Sequence, residues 1–228
     1  MKQINEAPLQ RTVLKDRVAE LIKDAILTGK LEPGDRIVEM KVASDLGVGT
    51  TAVREALFEL ESQGFVTRIT NKGTFVTKLT AEDVEQIHCV RRELEGLAVE
   101  LLQQRATEAN LAILEKSVKG MRTAALDGNF PSFYKNDLEF HRAIWFLSGN
   151  RYVAKSLDNT VVPLFAFFIM KNPRDSVADL VASADKHAEI VRALREGKDA
   201  RKQMEDALEF FALQEKRLLF ERQLNQMS

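Results

Sequence analysis

Three side chains in the second half of the sequence have the types and spacing of a metal site. Asp137 and His141 are four residues apart, so on a helix their side chains point the same way from successive turns. Both interrupt apolar stripes, and His187 interrupts another one farther along the chain. A buried carboxylate needs a cationic or hydrogen-bonding partner. A divalent ion (Zn, Ni or Mn) would satisfy all three groups, and the alternative is a polar core without metal.

The segment that carries these residues is predicted to be an all-α bundle over residues 80–228. Its long apolar periodicities have few breakers, and such helices bury a common core. The predicted helices are 81–105, 107–127, 130–147, 151–171, 178–196 and 199–226. Boundaries are predicted at Thr80, Ser148-Gly149-Asn150, Asn172-Pro173 and Gly197.

Residues 1–79 have a different pattern, in which short predicted segments are separated by residues typical of turns. Apolar spacing predicts helices over 13–28 and 39–46, and a third helix within the stretch Gly47–Val66 that ends near Gly64. Pro33-Gly34 predicts a tight turn, and Gly47 a helix C-terminus. The runs FVTRIT and GTFVTKL flank Asn71-Lys72 and predict a β-hairpin. Helix, extended stretch, helix, tight turn, helix and hairpin is the order of a winged helix-turn-helix.

The third helix is the candidate nucleic-acid reader. Val53, Ala56, Leu57 and Leu60 lie on the side that locks it onto the first two helices. The opposite side has nothing to pack on, so its N-terminal end can enter a major groove with its amides against phosphates. Arg54 is either a bidentate reader of guanine or a phosphate clamp, and the sequence leaves both open.

Composition limits the classes of function. The chain has 228 residues, 45% hydrophobic and 29% charged, with a net charge of −1. Residues 1–79 hold 12 basic and 11 acidic side chains, which is weak electrostatic support for DNA binding. Cys89 is the single cysteine, which fits a reducing cytoplasm. Charges interrupt the apolar runs, and the first residues lack the apolar centre of a secretory signal, so no membrane association is expected.

Residues 12–79 resemble the DNA-binding domain of the GntR family of bacterial transcription regulators. The matching stretches are AILTGKLEPGDRIVE, ASDLGV, TAVREALFELESQGFV and NKGTFV. The family usually has Ser-Arg where this chain has Gly49-Thr50, Pro at Ala52, and a basic residue at Met40, beside which Lys41 stands. Fewer charged contacts imply a different operator or modest affinity. The candidate DNA contacts are Thr50, Thr51, Arg54, Lys41, Lys72 and Thr74.

Residues 84–212 resemble the FCD ligand-binding domain, the effector module of the FadR branch of that family. The matching stretches are VRRELEGLAVELL, NDLEFHRAIWFLSGN and SADKHAEIVRAL. The resemblance implies a metal held by Asp137, His141, His187 and a further histidine on the last helix. That fourth position falls at Ala207 by apolar phase and at Glu209 by direct count. Glu209 donates a carboxylate, or three ligands hold the metal, or the pocket works without metal.

The same resemblance implies an anionic effector. Arg91 and Glu95 stand in the family's Arg-x-x-Leu-Glu motif, and Arg91 is the candidate partner of the effector; an internal Arg91–Glu95 helix pair is the alternative. Asn150 resembles a position near the pocket and could instead cap a helix. His88 and Cys89 diverge by about 100° on a helix and are interpreted as structural.

The leading hypothesis is therefore a cytoplasmic, ligand-responsive transcription regulator and not an enzyme. It would bind double-stranded palindromic DNA as a homodimer, would act as a repressor, and would respond to a small organic or sugar acid. Two alternatives are a metal-dependent hydrolase or lyase built on the bundle, and a protein-binding adaptor that uses the winged domain.

Overall fold

The computed structural model describes the backbone of residues 9–171 and 176–225, and the side chains of residues 14–170 and 176–213. The chain divides into two compact units, Met1–Lys78 and Leu79–Ser228. The predicted domain boundary, between residues 79 and 80, lies one residue later. The predicted break at Asn172-Pro173 and the predicted helix end at Gln226 lie outside the described residues.

The N-terminal unit is a winged helix-turn-helix. Its elements in chain order are α1 (Leu9–Leu27), β1 (Arg36–Ile37), α2 (Glu39–Leu46), α3 (Thr50–Ser62), β2 (Val66–Ile69) and β3 (Gly73–Val76). The strands form an antiparallel sheet in the order β1-β3-β2. The predicted extended stretch is thus a third strand, because Arg36 pairs with Phe75 and Ile37 with Thr74.

The turn between α2 and α3 holds the third helix in place. Gly47 adopts a left-handed conformation (φ 65°), and its N–H bonds to the carbonyls of Ala43 and Ser44, which ends α2. The helix α3 then buries one face completely, through Val53, Ala56, Leu57 and Leu60. Burial on that scale, at roughly 1.5–3 kcal/mol for each large apolar side chain, fixes the orientation of α3 on its own unit.

The C-terminal unit consists of helices joined by short connections, with no strand among its described residues. The helices are α4 (Ala81–Gln103), α5 (Glu108–Leu126), α6 (Phe130–Leu147), α7 (Arg151–Lys171), α8 (Val177–Glu196) and α9 (Ala200–Asn225). Capping boxes define three of the starts, with Thr80, Thr107 and Ser176 as the N-caps. The predicted fold class, mainly α with a small sheet in the winged unit, is confirmed.

One helix differs from the expectation that charge interrupts every apolar run. The segment Arg151–Met170 is long and apolar enough to cross a membrane by length and composition alone, with a mean hydropathy of 1.4. However, 56% of that segment is buried inside the protein, and Val161, Val162 and Phe165 belong to the main core of the bundle. A central helix of a bundle is buried on several sides and therefore reads as a continuous apolar run.

Candidate functional site

A buried polar cluster lies inside the helical bundle. It contains Arg91 and Glu95 from α4, Asp137 and His141 from α6, and His187 from α8, none of them more than 5% exposed. The aromatic rings of Phe140, Phe165, Trp145 and Phe211 pack around the two imidazoles. Charged groups removed from water to this degree must be paired, and the contacts below show how each one is.

The three predicted metal ligands converge on one point. Oδ1 of Asp137 lies 3.0 Å from Nε2 of His187 and 3.3 Å from Nε2 of His141, and the two Nε2 atoms are 3.3 Å apart. A first-row ion bound at about 2.0–2.2 Å from each donor separates neighbouring donors by about 2.8 Å in octahedral geometry and up to about 3.6 Å in tetrahedral geometry. Among the described residues, Asp137, His141 and His187 form a group whose ligand atoms are close enough to share an ion.

Both histidines present their Nε2 atoms to that point because their other nitrogens are engaged. Nδ1 of His187 lies 2.8 Å from the backbone carbonyl of Ser183, which can only accept, so Nδ1 carries the proton. Nδ1 of His141 lies 2.5 Å from Oε2 of Glu95 and donates to that carboxylate. Contacts of this kind fix the tautomer of a metal-binding histidine. The residues present therefore fit a divalent ion.

Electrostatics keeps the two carboxylates ionised despite their burial. Burial by itself raises the pKa of Glu95, but the charges of His141 and Arg91 outweigh it and lower that pKa to about 2. Burial likewise raises the pKa of Asp137, and His187 and His141 outweigh it, so that pKa lies well below its usual range. Both carboxylates are thus anionic at neutral pH, with the oxygens of Glu95 occupied by Arg91 and His141.

His141 is the most constrained group of the cluster. Burial lowers its pKa, the Glu95 carboxylate raises it, and Arg91 lowers it; the net direction is upward. Nη2 of Arg91 lies 2.9 Å from Nε2 of His141 and donates to it when the ring is neutral. When the ring is protonated, Nε2–H faces Asp137 instead. A metal ion at this point therefore competes both with a proton and with the N–H of Arg91 for the lone pair of Nε2.

Glu209 does not join the cluster. Its side chain is exposed, whereas Ala207 on the same helix is fully buried. Counting residues directly from His187 placed Glu209 at the fourth ligand position. The apolar face of α9 instead turns Ala207 towards the core, and alanine has no donor atom for a metal. The prediction that Glu209 is a ligand is therefore wrong for this fold, and three protein ligands remain.

Arg91 and Glu95 form the internal helix pair that the sequence left open, with a 2.7 Å contact from Nε to Oε1. The guanidinium also lies over the ring of Phe165, 5.1 Å from its centre. Asn150 acts as a helix cap, since its Oδ1 accepts from the backbone N–H groups of Tyr152 and Val153. Cys89 is exposed and His88 half-buried on α4, apart from the convergent group.

Sequence reasoning missed two contacts of the cluster. The carbonyl of Ser183 lies four residues before His187, a spacing that could have suggested it. The contact between Glu95 and His141 joins α4 to α6 across 46 positions, and no local spacing could reveal it. Three polar atoms of this region are buried without a hydrogen-bond partner: Oδ1 of Asp137, the indole nitrogen of Trp145 and the hydroxyl oxygen of Ser183.

The N-terminal unit presents most of its candidate DNA contacts to solvent. Thr50, Thr51 and Arg54 are exposed along α3, while Lys41 and Lys72 are exposed on α2 and at the hairpin turn. Thr74 is only 4% exposed, so its side chain is buried on the inner face of the sheet, which argues against its predicted contact with DNA. The unexpected feature is Glu39 on α2, which accepts two hydrogen bonds from Arg54.

Comparisons with known proteins agree with this two-part architecture. Residues 14–76 match the family of "Bacterial regulatory proteins, gntR family", and residues 86–209 match the "FCD domain". The chain is 34% identical over 139 residues to the "Uncharacterized HTH-type transcriptional regulator YdhC" of Bacillus subtilis, covering 60% of this chain and 62% of that protein. That relative is thus matched over less than two thirds of its length.

Two further matches extend over more of the chain. The "Probable D-xylose utilization operon transcriptional repressor" of Paenarthrobacter nicotinovorans is 27% identical over 189 residues, 83% of this chain and 82% of that protein. The solved structure "E. coli McbR/YncC" has a TM-score of 0.69 at 22% identity, covering 92% of this chain and 98% of that one, which shows a shared fold.

These relatives are transcription regulators, so the alternative prediction of a hydrolase or lyase finds no support. The match to the FCD domain alone covers more than half of the sequence. An FCD helical unit follows a gntR-type winged helix-turn-helix, and the chain belongs to the FCD-containing gntR family of bacterial transcription regulators.

Proposed function

We propose that this protein is a cytoplasmic, metal- and ligand-responsive repressor that binds a palindromic operator as a homodimer. The observation that carries the proposal is the pairing of an exposed polar edge on α3 with a buried, charged cluster in the second unit. The first feature suits a DNA groove, and the second suits a small charged ligand.

The DNA-binding step uses the leading edge of α3. Thr50, Thr51 and Arg54 lie on the exposed side of a helix whose opposite side is fully buried. Inserted in a major groove, this edge would place Arg54 at base height, with Lys41 and Lys72 towards the phosphates. A two-fold dimer would repeat the contact about one helical turn away on the operator.

The effector step uses the buried cluster. A divalent ion held by Asp137, His141 and His187 would keep coordination positions open and supply a positive charge to a carboxylate ligand. Arg91 and the Glu95 that holds it lie next to the same point, so the guanidinium is placed to contact a small organic or sugar acid. Effector and DNA must favour different conformations for this binding to regulate transcription.

Electrophoretic mobility shifts on the promoter region of the protein's own operon test the DNA-binding step. We expect a sequence-specific complex with wild type and its loss with Arg54→Ala. Arg122→Ala, an exposed substitution in the helical unit, is the control that retains the complex. A wild type that binds every duplex equally would contradict the proposal.

Elemental analysis of the purified protein tests the metal step. We expect close to one equivalent of Zn, Ni or Mn in wild type and none in His187→Ala. The matched control is His88→Ala, which removes a histidine outside the cluster and should leave the metal content unchanged. Equal metal in all three proteins would show that the cluster is not the site.

A further inference from the structure

An ion pair between α2 and α3 determines where the guanidinium of Arg54 is held. Nε and Nη2 of Arg54 lie 3.0 Å and 2.9 Å from the same atom, Oε2 of Glu39. The side chain of Arg54 is 57% exposed and that of Glu39 is 28% exposed. Glu39 is the first residue of α2, where the amide groups of a helix N-terminus stabilise a carboxylate. The negative charge that Arg54 meets is thus stabilised by the helix on which it lies.

The contact engages one edge of the guanidinium and leaves another available. Arginine has five N–H donors in a planar fork, one on Nε and two on each Nη. Glu39 takes the edge formed by Nε and Nη2. The edge formed by Nη1 and the outer hydrogen of Nη2 is the one that can donate two parallel hydrogen bonds to O6 and N7 of guanine. A guanidinium held in this way is pre-oriented for a base.

The same carboxylate disfavours the other role of Arg54. A phosphate that approached the guanidinium would have to compete with Glu39 for its donors and would meet the negative charge of Glu39. Guanine presents uncharged acceptors and suffers no such repulsion. The near-neutral charge of residues 1–79 points the same way, because it leaves little non-specific attraction for phosphate.

We propose that Glu39 is a positioning residue for Arg54. It orients the guanidinium to read a guanine in the major groove and disfavours a contact between Arg54 and a phosphate. The inference rests on the proposed DNA-binding function and adds the base that the site recognises. The competing explanation is an ordinary surface ion pair, which contributes little and has no effect on sequence preference.

Selection of duplexes from a random double-stranded DNA library by full-length protein tests the inference. We expect wild type to enrich a two-fold symmetric sequence with a fixed guanine in each half, and Arg54→Ala to lose the preference at that position. Glu39→Gln should weaken the preference for guanine about fivefold or more, because the guanidinium is no longer oriented. Its binding to unrelated duplexes should become tighter and its salt dependence steeper by about one unit of slope.

Glu61→Gln is the matched control, since it removes the same charge from α3 beside a different arginine, Arg68. It should leave the guanine preference unchanged. Full guanine preference in Glu39→Gln, or an equal loss of affinity for all duplexes, would overturn the role of Glu39. Failure of wild type to enrich any sequence would instead overturn the DNA-binding function on which it rests.

Discussion

The two units of this protein each contain an arginine–glutamate pair, and the two pairs lie in opposite surroundings. Arg54 and Glu39 meet at the surface, where the side chain of Arg54 is 57% exposed and that of Glu39 28% exposed. Arg91 and Glu95 meet in the bundle, at most 3% exposed, with His141 touching both. Water screens the first pair, so its loss costs little stability, whereas removing either partner of the second pair leaves a buried charge unpaired.

This difference indicates how one chain can read DNA and sense a ligand. An exposed ion pair contributes little to stability, so Glu39 can orient Arg54 without being needed for the fold of its unit. A buried network tolerates few arrangements, so a ligand that changed its charge balance would act on the surrounding helices. The free energy of unfolding of each unit is a common measure on which the two pairs can be compared.

The largest effect is expected from Arg91→Ala. Removal of the guanidinium leaves the ionised Glu95 buried with only His141 beside it, and breaking a buried pair of this kind costs about 3–5 kcal/mol. Urea unfolding followed by circular dichroism measures the loss. Arg122→Ala removes an arginine from an exposed pair in the same unit and should cost no more than about 1 kcal/mol. Similar losses of stability in both variants would contradict the distinction between a buried and an exposed ion pair.

Added metal should raise the free energy of unfolding of the helical unit by less than Arg91→Ala lowers it. At a free concentration one hundred times the dissociation constant, binding to the folded state alone contributes about 2.7 kcal/mol. Asp137→Asn should lose this increment, because the amide is a poor ligand at the point where the two imidazoles converge. Thermal unfolding with and without Zn²⁺ checks it. An unchanged increment in Asp137→Asn would place the ion elsewhere.

The metal-free helical unit should have a stability maximum in pH. The pKa of Glu95 falls from about 4.5 to about 2 on folding, so its contribution is present above about pH 4.5 and is lost as pH falls towards 2. The pKa of His141 is raised on folding, so its contribution is complete below pH 6.5 and is lost as pH rises through the raised value.

On the alkaline side of this maximum, the free energy of unfolding should fall by no more than about 1.4 kcal/mol per pH unit, which is the slope for the release of one proton. Metal should bind more tightly as the pH rises through the pKa of His141, because the metal no longer competes with a proton on that ring. Urea titrations at several pH values, with and without chelator, measure both trends. Metal affinity that rises on acidification would contradict the assignment of His141.

The smallest effect on stability is expected in the N-terminal unit. Arg54→Ala and Glu39→Gln should each change its free energy of unfolding by no more than about 1 kcal/mol, because water replaces the lost partner. Hydrogen exchange in α1 and β3 reports the stability of this unit. A loss comparable with that of Arg91→Ala would show that the pair is structural and that its DNA phenotype is indirect.

Local signals in the sequence were sufficient for the winged unit. The apolar spacing of α3, the glycine after α2 and the Asn71-containing turn each involve neighbours within a few positions, and each forms as predicted. Thr74 is the exception, because strand alternation beside β1 turns its side chain inward. The pairing of β1 with β3 joins segments nearly 40 residues apart and gives no periodic signal.

The sequence by itself determined that α6 and α8 carry inward-facing Asp137, His141 and His187, because helical periodicity fixes the face on which a residue lies. Only the tertiary structure decided that their donor atoms converge, that Glu95 orients His141, and that Glu209 points away. It also decided that Glu39 holds Arg54. Periodicity specifies direction around one helix axis, whereas distances between helices depend on how all the helices pack together.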